Sequence, residues 1–252
     1  MRVLASGSSG NATLFSGGRT HVLVDCGLAA RSLVHCLRAE GVEPQALAAV
    51  FVSHEHSDHV RGLRVFMKKL RVPLFVAPEC LETSQFEDVE FASVEPLEGG
   101  HAVTLGCMTV TPFLVPHDAA CCFGFRVESG GVKATMATDF GEPTALVRER
   151  LNGAHCQLVE FNHDLERLMT GSYPLDVKIR VKGPLGHLSN EQASRLVSRT
   201  MDGETNALYL MHLSKENNLP ALARLAARDA VGGRKVRVEV ARPHEPTPAW
   251  EG

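Results

Sequence analysis

Paired cysteines are missing from this chain of 252 residues. The seven cysteines are an odd number without CxxC spacing, and Cys121-Cys122 are adjacent and cannot close an ordinary bridge on themselves. A disulfide framework is therefore not expected, and free thiols in a reducing cytoplasm are. No apolar run approaches the ~20 residues a membrane span needs. The opening residues, Met1 to Gly7, hold no signal-peptide core and read as a strand at once. Positive charge is not in excess either: 26 Lys and Arg stand against 29 Asp and Glu, a formal net charge of −3. No global field draws in nucleic acid, so any such contact must come from a local groove. There is no internal repeat and no linker. What remains, 44% hydrophobic and 22% charged residues, is ordinary soluble globular composition. One domain over residues 1–242 is expected. A tail over 243–252 is expected to be disordered, because three prolines fall within six residues from Pro243.

The coarse pattern mixes short strands and helices. Arg2 to Ala5 reads as a strand, and Thr13 to Phe15 with His21 to Asp25 as a hairpin. Further hairpins fall around Gly106 and over Gly130-Gly131. Buried strands are expected at 49–53, 155–161 and 206–211, and a final one at 236–240. Helices are expected over 30–40, 60–70, 189–199 and 219–230, and one from Pro143 to Leu151. Ser189 with Gln192 forms a capping box. The strands look antiparallel in both halves, with helices between them. Composition alone says mixed α and β.

The most informative stretch is Ser53 to His59. His54, His56, Asp58 and His59 place four potential metal ligands within six positions, just after an apolar strand. Side chains on such a strand-end turn can converge. His54 and His56 point the same way if the chain stays extended. Asp58 and His59 are adjacent, diverge, and can serve a second ion. Imidazole and carboxylate without thiolate suit zinc, manganese or iron at a reactive centre better than a closed structural site.

This pattern resembles the signature of the metallo-β-lactamase superfamily. The segments Val115-Pro116-His117, Thr138-Asp139 and Met211-His212 match it further downstream, in order. The resemblance implies an αββα sandwich and two divalent ions, manganese or zinc, with iron also accepted. His54, His56 and His117 would hold one ion, Asp58, His59 and His212 the other, with Asp139 shared. A narrower resemblance rests on Ala5 to Asn11, Glu160 to Asp164, Gly186 to Asn190, and His212-Leu213-Ser214 with Asn217-Asn218. These are similar to the YycJ/WalJ-like branch, which implies a metal-dependent 5′-to-3′ exonuclease on double-stranded DNA.

Phosphodiester hydrolysis needs a nucleophile, charge neutralisation and a proton for the leaving oxygen. Two ions ~3.5–4 Å apart supply the first two. Asp58 would also orient the attacking water. For the third, His187 lies 25 residues before His212 in a setting similar to the extra histidine of ribonuclease-type members. Glu160 resembles its orienting acid, and a carboxylate on one ring nitrogen fixes the tautomer and raises the pKa. The other reading of His187 is a helix-start residue with a structural hydrogen bond. Lactamases and thioesterases do not need this acid pair. His163 and Asp164 fit substrate contact and loop packing equally.

Substrate contacts are expected from Ser6, Ser8, Ser9 and Asn11, whose Gly-rich turn is either plain hairpin chemistry or an anion seat of backbone N–H groups. Ser214 and Asn217 follow His212 and would add donors. Lys68, Lys69 and Arg71, and Lys178, Arg180 and Lys182, are basic clusters that read as solvated faces or as a track for the backbone. Two other readings compete: a phosphodiesterase for RNA or a small cyclic nucleotide, and a non-catalytic metal-bound module. The chain lacks a long inserted arm for a folded RNA, and its complete ligand set speaks against a degenerate site.

Overall fold

A computed structural model describes residues 1–68, 70–87 and 91–252. Lys69 of the first basic cluster lies outside the described residues. Two sheets carry the architecture. The first holds β1 (Arg2–Ala5), β2 (Ala12–Gly17), β3 (Thr20–Val24), β4 (Ala49–Phe51), β5 (Leu74–Val76) and β6 (Val94–Pro96), in that spatial order. The second runs from β7 (Val103–Leu105) through β8 (Met108–Leu114), β9 (Phe123–Ser129), β10 (Val132–Ala137), β11 (Cys156–Glu160) and β12 (Ala207–Met211) to β13 (Arg237–Val240). Each sheet starts with antiparallel hairpins, β1–β3 and β7–β10, and continues with parallel strands, β3–β6 and β10–β13. The expectation of hairpin-like pairing in both halves thus holds only for the first part of each sheet. Where a longer excursion separates two strands, the chain returns to the same end of the sheet and pairs parallel. Strand β6 escaped the sequence reading because all three of its residues are exposed, so it carries no apolar signal.

The second sheet is covered on both faces, and its strands show it residue by residue. Cys156 and Leu158 of β11 and Ala207 and Tyr209 of β12 join the core shared with the first sheet. Their neighbours Val159, Leu208 and Leu210 face the other way, onto a second core. This is the two-residue alternation of a strand with apolar layers on both sides. The second core is completed by α5 (Ala145–Leu151), α8 (Asn190–Thr200) and α9 (Pro220–Val231). On the other sheet, Leu33 and Leu37 of α1 (Ala30–Ala39) close the first core. The result is the αββα sandwich that the resemblance implied.

Three sequence expectations change. The helix expected over 60–70 is two pieces, α2 (Ser57–Val60) and α3 (Leu63–Met67). The amide of Gly62 is taken by the carbonyl of Cys26 at 2.8 Å, which breaks the helical ladder. Gly62 must stay bare there, since a Cβ would lie 1.9 Å from the Leu28 carbonyl. Helix α5 starts after Thr144, whose hydroxyl accepts the Val147 amide at 3.1 Å, so Pro143 precedes the cap. Finally, the tail beyond Pro243 is not loose. Thr247 and Trp250 donate their amides to the carbonyls of Val3 and Met1, both at 2.9 Å, and satisfy the open edge beside β1. Trp250 is 7% exposed and its indole donates to Asn206 at 2.7 Å. The prolines lack N–H groups, but the residues between them supply the donors that dock the segment. Short helices among the described residues include α4 (Pro78–Leu81), α6 (Leu165–Thr170) and α7 (Leu175–Val181), with a 3-10 turn at Pro44–Ala46. Among the described residues no helix is long and apolar enough to cross a membrane.

Candidate metal centre

Strand ends deliver the site. β4 leads into His54–His59, β10 into Asp139 and β12 into His212. Asp139 and His212 adopt left-handed backbone, with φ of 62° and 53°, and so does Asp25 after β3, at 65°. Each such residue costs about 1–3 kcal/mol and persists only where its surroundings fix it. Here the bonds are visible. The His212 amide donates to Ser6 Oγ at 2.8 Å, and its carbonyl accepts from Asn162 at 2.9 Å. The Asp25 amide reaches the Phe51 carbonyl at 2.8 Å. Gly27 lets the ligand turn pack down, because a Cβ there would meet the Asp58 carbonyl at 1.7 Å.

All seven expected ligands converge. His54, His56 and His117 bring ligand atoms within 4.8 Å of one another, and so do Asp58, His59 and His212. The rings of the first trio stand 4.7–5.1 Å apart. In the second, Asp58 Oδ2 lies 3.1 Å from His212 Nε2 and 3.6 Å from His59 Nε2. Asp139 groups with His54 and His59 together, so it stands between the trios. Its two oxygens lie 3.5 Å from His59 Nε2 and 3.4 Å from His212 Nε2.

These residues fit divalent metal. His54 Nε2 and Asp139 Oδ2 are buried without a hydrogen-bond partner. Unpaired buried polar atoms are rare and costly in proteins, and cations would satisfy both. The electrostatics differ between the candidate ligands: His54 and Asp58 stand ready as bases, whereas His59 would give up a proton to a metal. Burial, then the neighbouring imidazoles, push His54 far below the ordinary histidine range, so its ring nitrogen is a free base. Burial opposes charge on Asp58 too, but bonding to His212 and the nearby His59 outweigh it and hold its carboxylate well below the usual range. Burial depresses His59, yet Asp25, Asp139 and Asp58 lift it to about 9.

Support comes from residues outside the motif. Asp25 was not anticipated as a site residue. Its Oδ2 lies 2.7 Å from His59 Nδ1, and its two oxygens accept the Ser53 amide at 2.8 Å and the Ser53 hydroxyl at 3.0 Å. The available signal was an acid closing the apolar run Val22-Leu23-Val24. Glu55, between two ligands, accepts the Ala120 amide at 2.8 Å and the Cys80 thiol at 3.4 Å, and ties the ligand turn to the loop after β8.

His187 and Glu160 meet as expected. Nδ1 of His187 stands 2.7 Å from Glu160 Oε1, and Glu160 Oε2 accepts the Leu188 amide at 3.0 Å. Burial lowers the His187 pKa, but the Glu160 charge and hydrogen bond raise it above the ordinary value. Glu160 also reaches His212 Nδ1 at 3.2 Å.

The expected substrate contacts fare differently. Ser6 is buried under His212. Asn11 is buried too, its amide nitrogen 3.2 Å from Asp58 Oδ2 and 3.0 Å from His59 Nε2. The Ser214 hydroxyl accepts the Asn217 amide at 3.1 Å, and both residues are buried. These four build the site rather than face a ligand. Ser8 is exposed and Ser9 half-buried. The amides of Ser6, Gly7, Gly10 and Asn11 already donate within the protein, so most of the supposed anion seat is filled. His163 is fully buried and bonds neither ring nitrogen, and burial lowers its pKa to about 4. Asp164 caps α6 through the Arg167 amide at 3.0 Å. Loop packing, not substrate contact, describes both.

Residues 20–213 match the model of the beta-lactamase superfamily domain. The chain belongs to this superfamily. It is 33% identical over 259 residues to an exodeoxyribonuclease WalJ of Streptococcus pneumoniae serotype 2, covering 99% of this chain and 96% of that one. It is 32% identical over 230 residues to an exodeoxyribonuclease YycJ of Bacillus anthracis, covering 89% and 86%. Among solved structures, the metallo-beta-lactamase fold protein YhfI from Bacillus subtilis superposes with a TM-score of 0.74 over 99% of both chains, at 19% identity. This superfamily member thus gathers its His and Asp cluster on the fold expected for it.

Proposed function

We propose that the chain is a cytoplasmic phosphodiesterase that binds two divalent ions, manganese or zinc, and digests double-stranded DNA from the 5′ end. The donor set accepts iron as well. The observation that carries this reading is the His187–Glu160 pair standing beside a complete ligand set. The two relatives named exodeoxyribonucleases support it.

When bound, the ions would activate water and offset phosphate charge. His54, His56 and His117 would hold one, Asp58, His59 and His212 the other, and Asp139 would reach both. Glu160 holds Nδ1 of His187, so Nε2 is the nitrogen left to face a substrate. Glu160 raises the ring's pKa, which favours the protonated form that a donor to a leaving alkoxide requires.

Of the substrate contacts expected in the N-terminal turn, Ser8 and Ser9 remain the candidates. The test is one panel: metal analysis, then digestion of end-labelled duplex, single-stranded DNA and RNA. Stepwise loss of 5′ nucleotides from duplex is expected. Preference for RNA, or for a cyclic nucleotide, would replace the substrate. Full metal loading without any hydrolysis would leave a binding module.

A further inference from the structure

Beside the ligand turn opens a cleft of about 440 Å³, whose walls include Glu55, His56, Asp58, Ser84, Gln85 and Arg180; the Glu55 carboxylate there is held by the Ala120 amide and the Cys80 thiol. Its volume is in the range of sites that hold a drug-sized molecule or a single nucleotide. Two of its walls are metal ligands, so whatever fills it lies against the reaction centre. Asp58 is already engaged by His212. Arg180 is the cation of the cleft. Its Nε donates to Asp118 Oδ2, and that is its one ion pair among the described residues. Both terminal nitrogens are left for a ligand, and the side chain is 66% exposed.

Arg180 is placed rather than loose. No residue of α7 is buried, so core packing does not position this helix. Asp118 does so instead. It follows the ligand His117, and its amide donates to the Leu185 carbonyl at 3.1 Å. His117 Nδ1 lies 3.0 Å from the same carbonyl. The His187 amide donates to the Val181 carbonyl at 2.8 Å. One short segment therefore carries both Arg180 and the proton donor His187, and both flank His117.

That shared segment decides which part of a strand belongs in the cleft. Hydrolysis that releases 5′-nucleotides adds the oxygen of water to phosphorus and breaks the P–O3′ bond. The 3′-oxygen of the terminal nucleotide takes the proton from His187, and the new 5′-phosphate stays on the shortened strand. The terminal nucleotide is thus the leaving group and lies on the His187 side. Its own 5′-phosphate stands one nucleotide beyond the scissile one. Arg180 is the cation on that side, and a guanidinium fork matches a terminal phosphate.

We propose that this cleft seats the 5′-terminal phosphate of the strand, with Arg180 as its clamp and Asp118 as the residue that positions Arg180. The proposal rests on the exonuclease reading. It moves the terminal seat away from the Ser6–Asn11 turn, whose amides are largely engaged. It also accounts for repeated digestion, because every cut leaves a strand end with the phosphate the cleft recognises.

The experiment compares one duplex carrying either a 5′-phosphate or a 5′-hydroxyl, with the metal-loaded full chain. The wild type should release the first nucleotide about 10- to 100-fold faster from the phosphorylated end, the range of one charge-assisted contact. On the hydroxyl end only the first cut should be slow. Arg180→Gln should abolish the preference through KM and slow the later cuts as well, while Arg180→Lys restores part of it. Asp118→Asn should weaken the preference in the same direction. Gln85→Ala probes another residue of the cleft wall and should also reduce the preference. A wild type that cuts both ends equally, or an Arg180→Gln variant that keeps the full preference, would overturn the clamp while leaving the exonuclease intact. A wild type inert on both duplexes would overturn the clamp and the exonuclease reading together.

Discussion

His187 Nδ1 lies 2.7 Å from Glu160 Oε1, a carboxylate with no solvent exposure, while His187 itself keeps 21% of its side chain exposed. A sealed carboxylate behind an accessible imidazole fixes the tautomer and points the other nitrogen outward. His187→Ala should lower turnover by about 10²–10⁴-fold with its metals retained. Metal analysis beside single-turnover rates checks this, and loss of a metal would move His187 out of the donor role.

Glu160 has a second partner, His212 Nδ1 at 3.2 Å. Glu160→Gln should therefore do more than slow the reaction. It should weaken metal binding by about 10–100-fold, the usual effect of losing a group that orients a ligand. The double variant with His187→Ala should lose less than the product of the two single losses, because the pair acts as a unit.

The pH dependence follows from the same pair. Burial lowers the His187 pKa, but Glu160 raises it above the ordinary value. A proton donor works below its pKa, so activity should fall as pH rises past that raised value, at a higher pH than an ordinary histidine would give. Glu160→Gln removes the raising charge, so the alkaline limb should move to lower pH. A limb that stays in place in log(kcat) against pH would separate it from His187.

Asp25 should matter although it touches no substrate. Its Oδ2 holds His59 Nδ1 at 2.7 Å and both its oxygens hold Ser53. Asp25→Ala should cost about 10–100-fold in metal affinity. Competition with a chelator reads this directly. Unchanged affinity would reduce Asp25 to a fold residue.

The C-terminal segment is a stability element. Trp250→Ala removes a 7% exposed indole and its bond to Asn206, and should lower stability by about 2–4 kcal/mol. Chemical denaturation measures the loss. No change would mean that the docked tail contributes nothing.

The His and Asp cluster was legible because its chemistry is local. His54, His56, Asp58 and His59 share one turn, and a strand that ends in a ligand announces itself by its apolar run. The capping box at Ser189 and Gln192 was legible for the same reason: both partners lie within one helical turn. Parallel pairing was not, because it depends on where a strand returns after a long excursion. Nor was the broken helix at Gly62, whose amide is claimed by Cys26, a residue 36 positions earlier. The roles of Ser6, Asn11, Ser214 and Asn217 reversed for a similar reason. Polar residues beside ligands read as substrate contacts in one dimension, but burial turns their hydrogen bonds inward. By itself, the sequence determined which ligand-type side chains would gather and the order in which strands deliver them. Only the tertiary structure decided that Asp25 stands behind His59, and that Asp118 brings Arg180 to the edge of the candidate metal centre. Such pairings join residues tens of positions apart, and no periodicity along the chain records them.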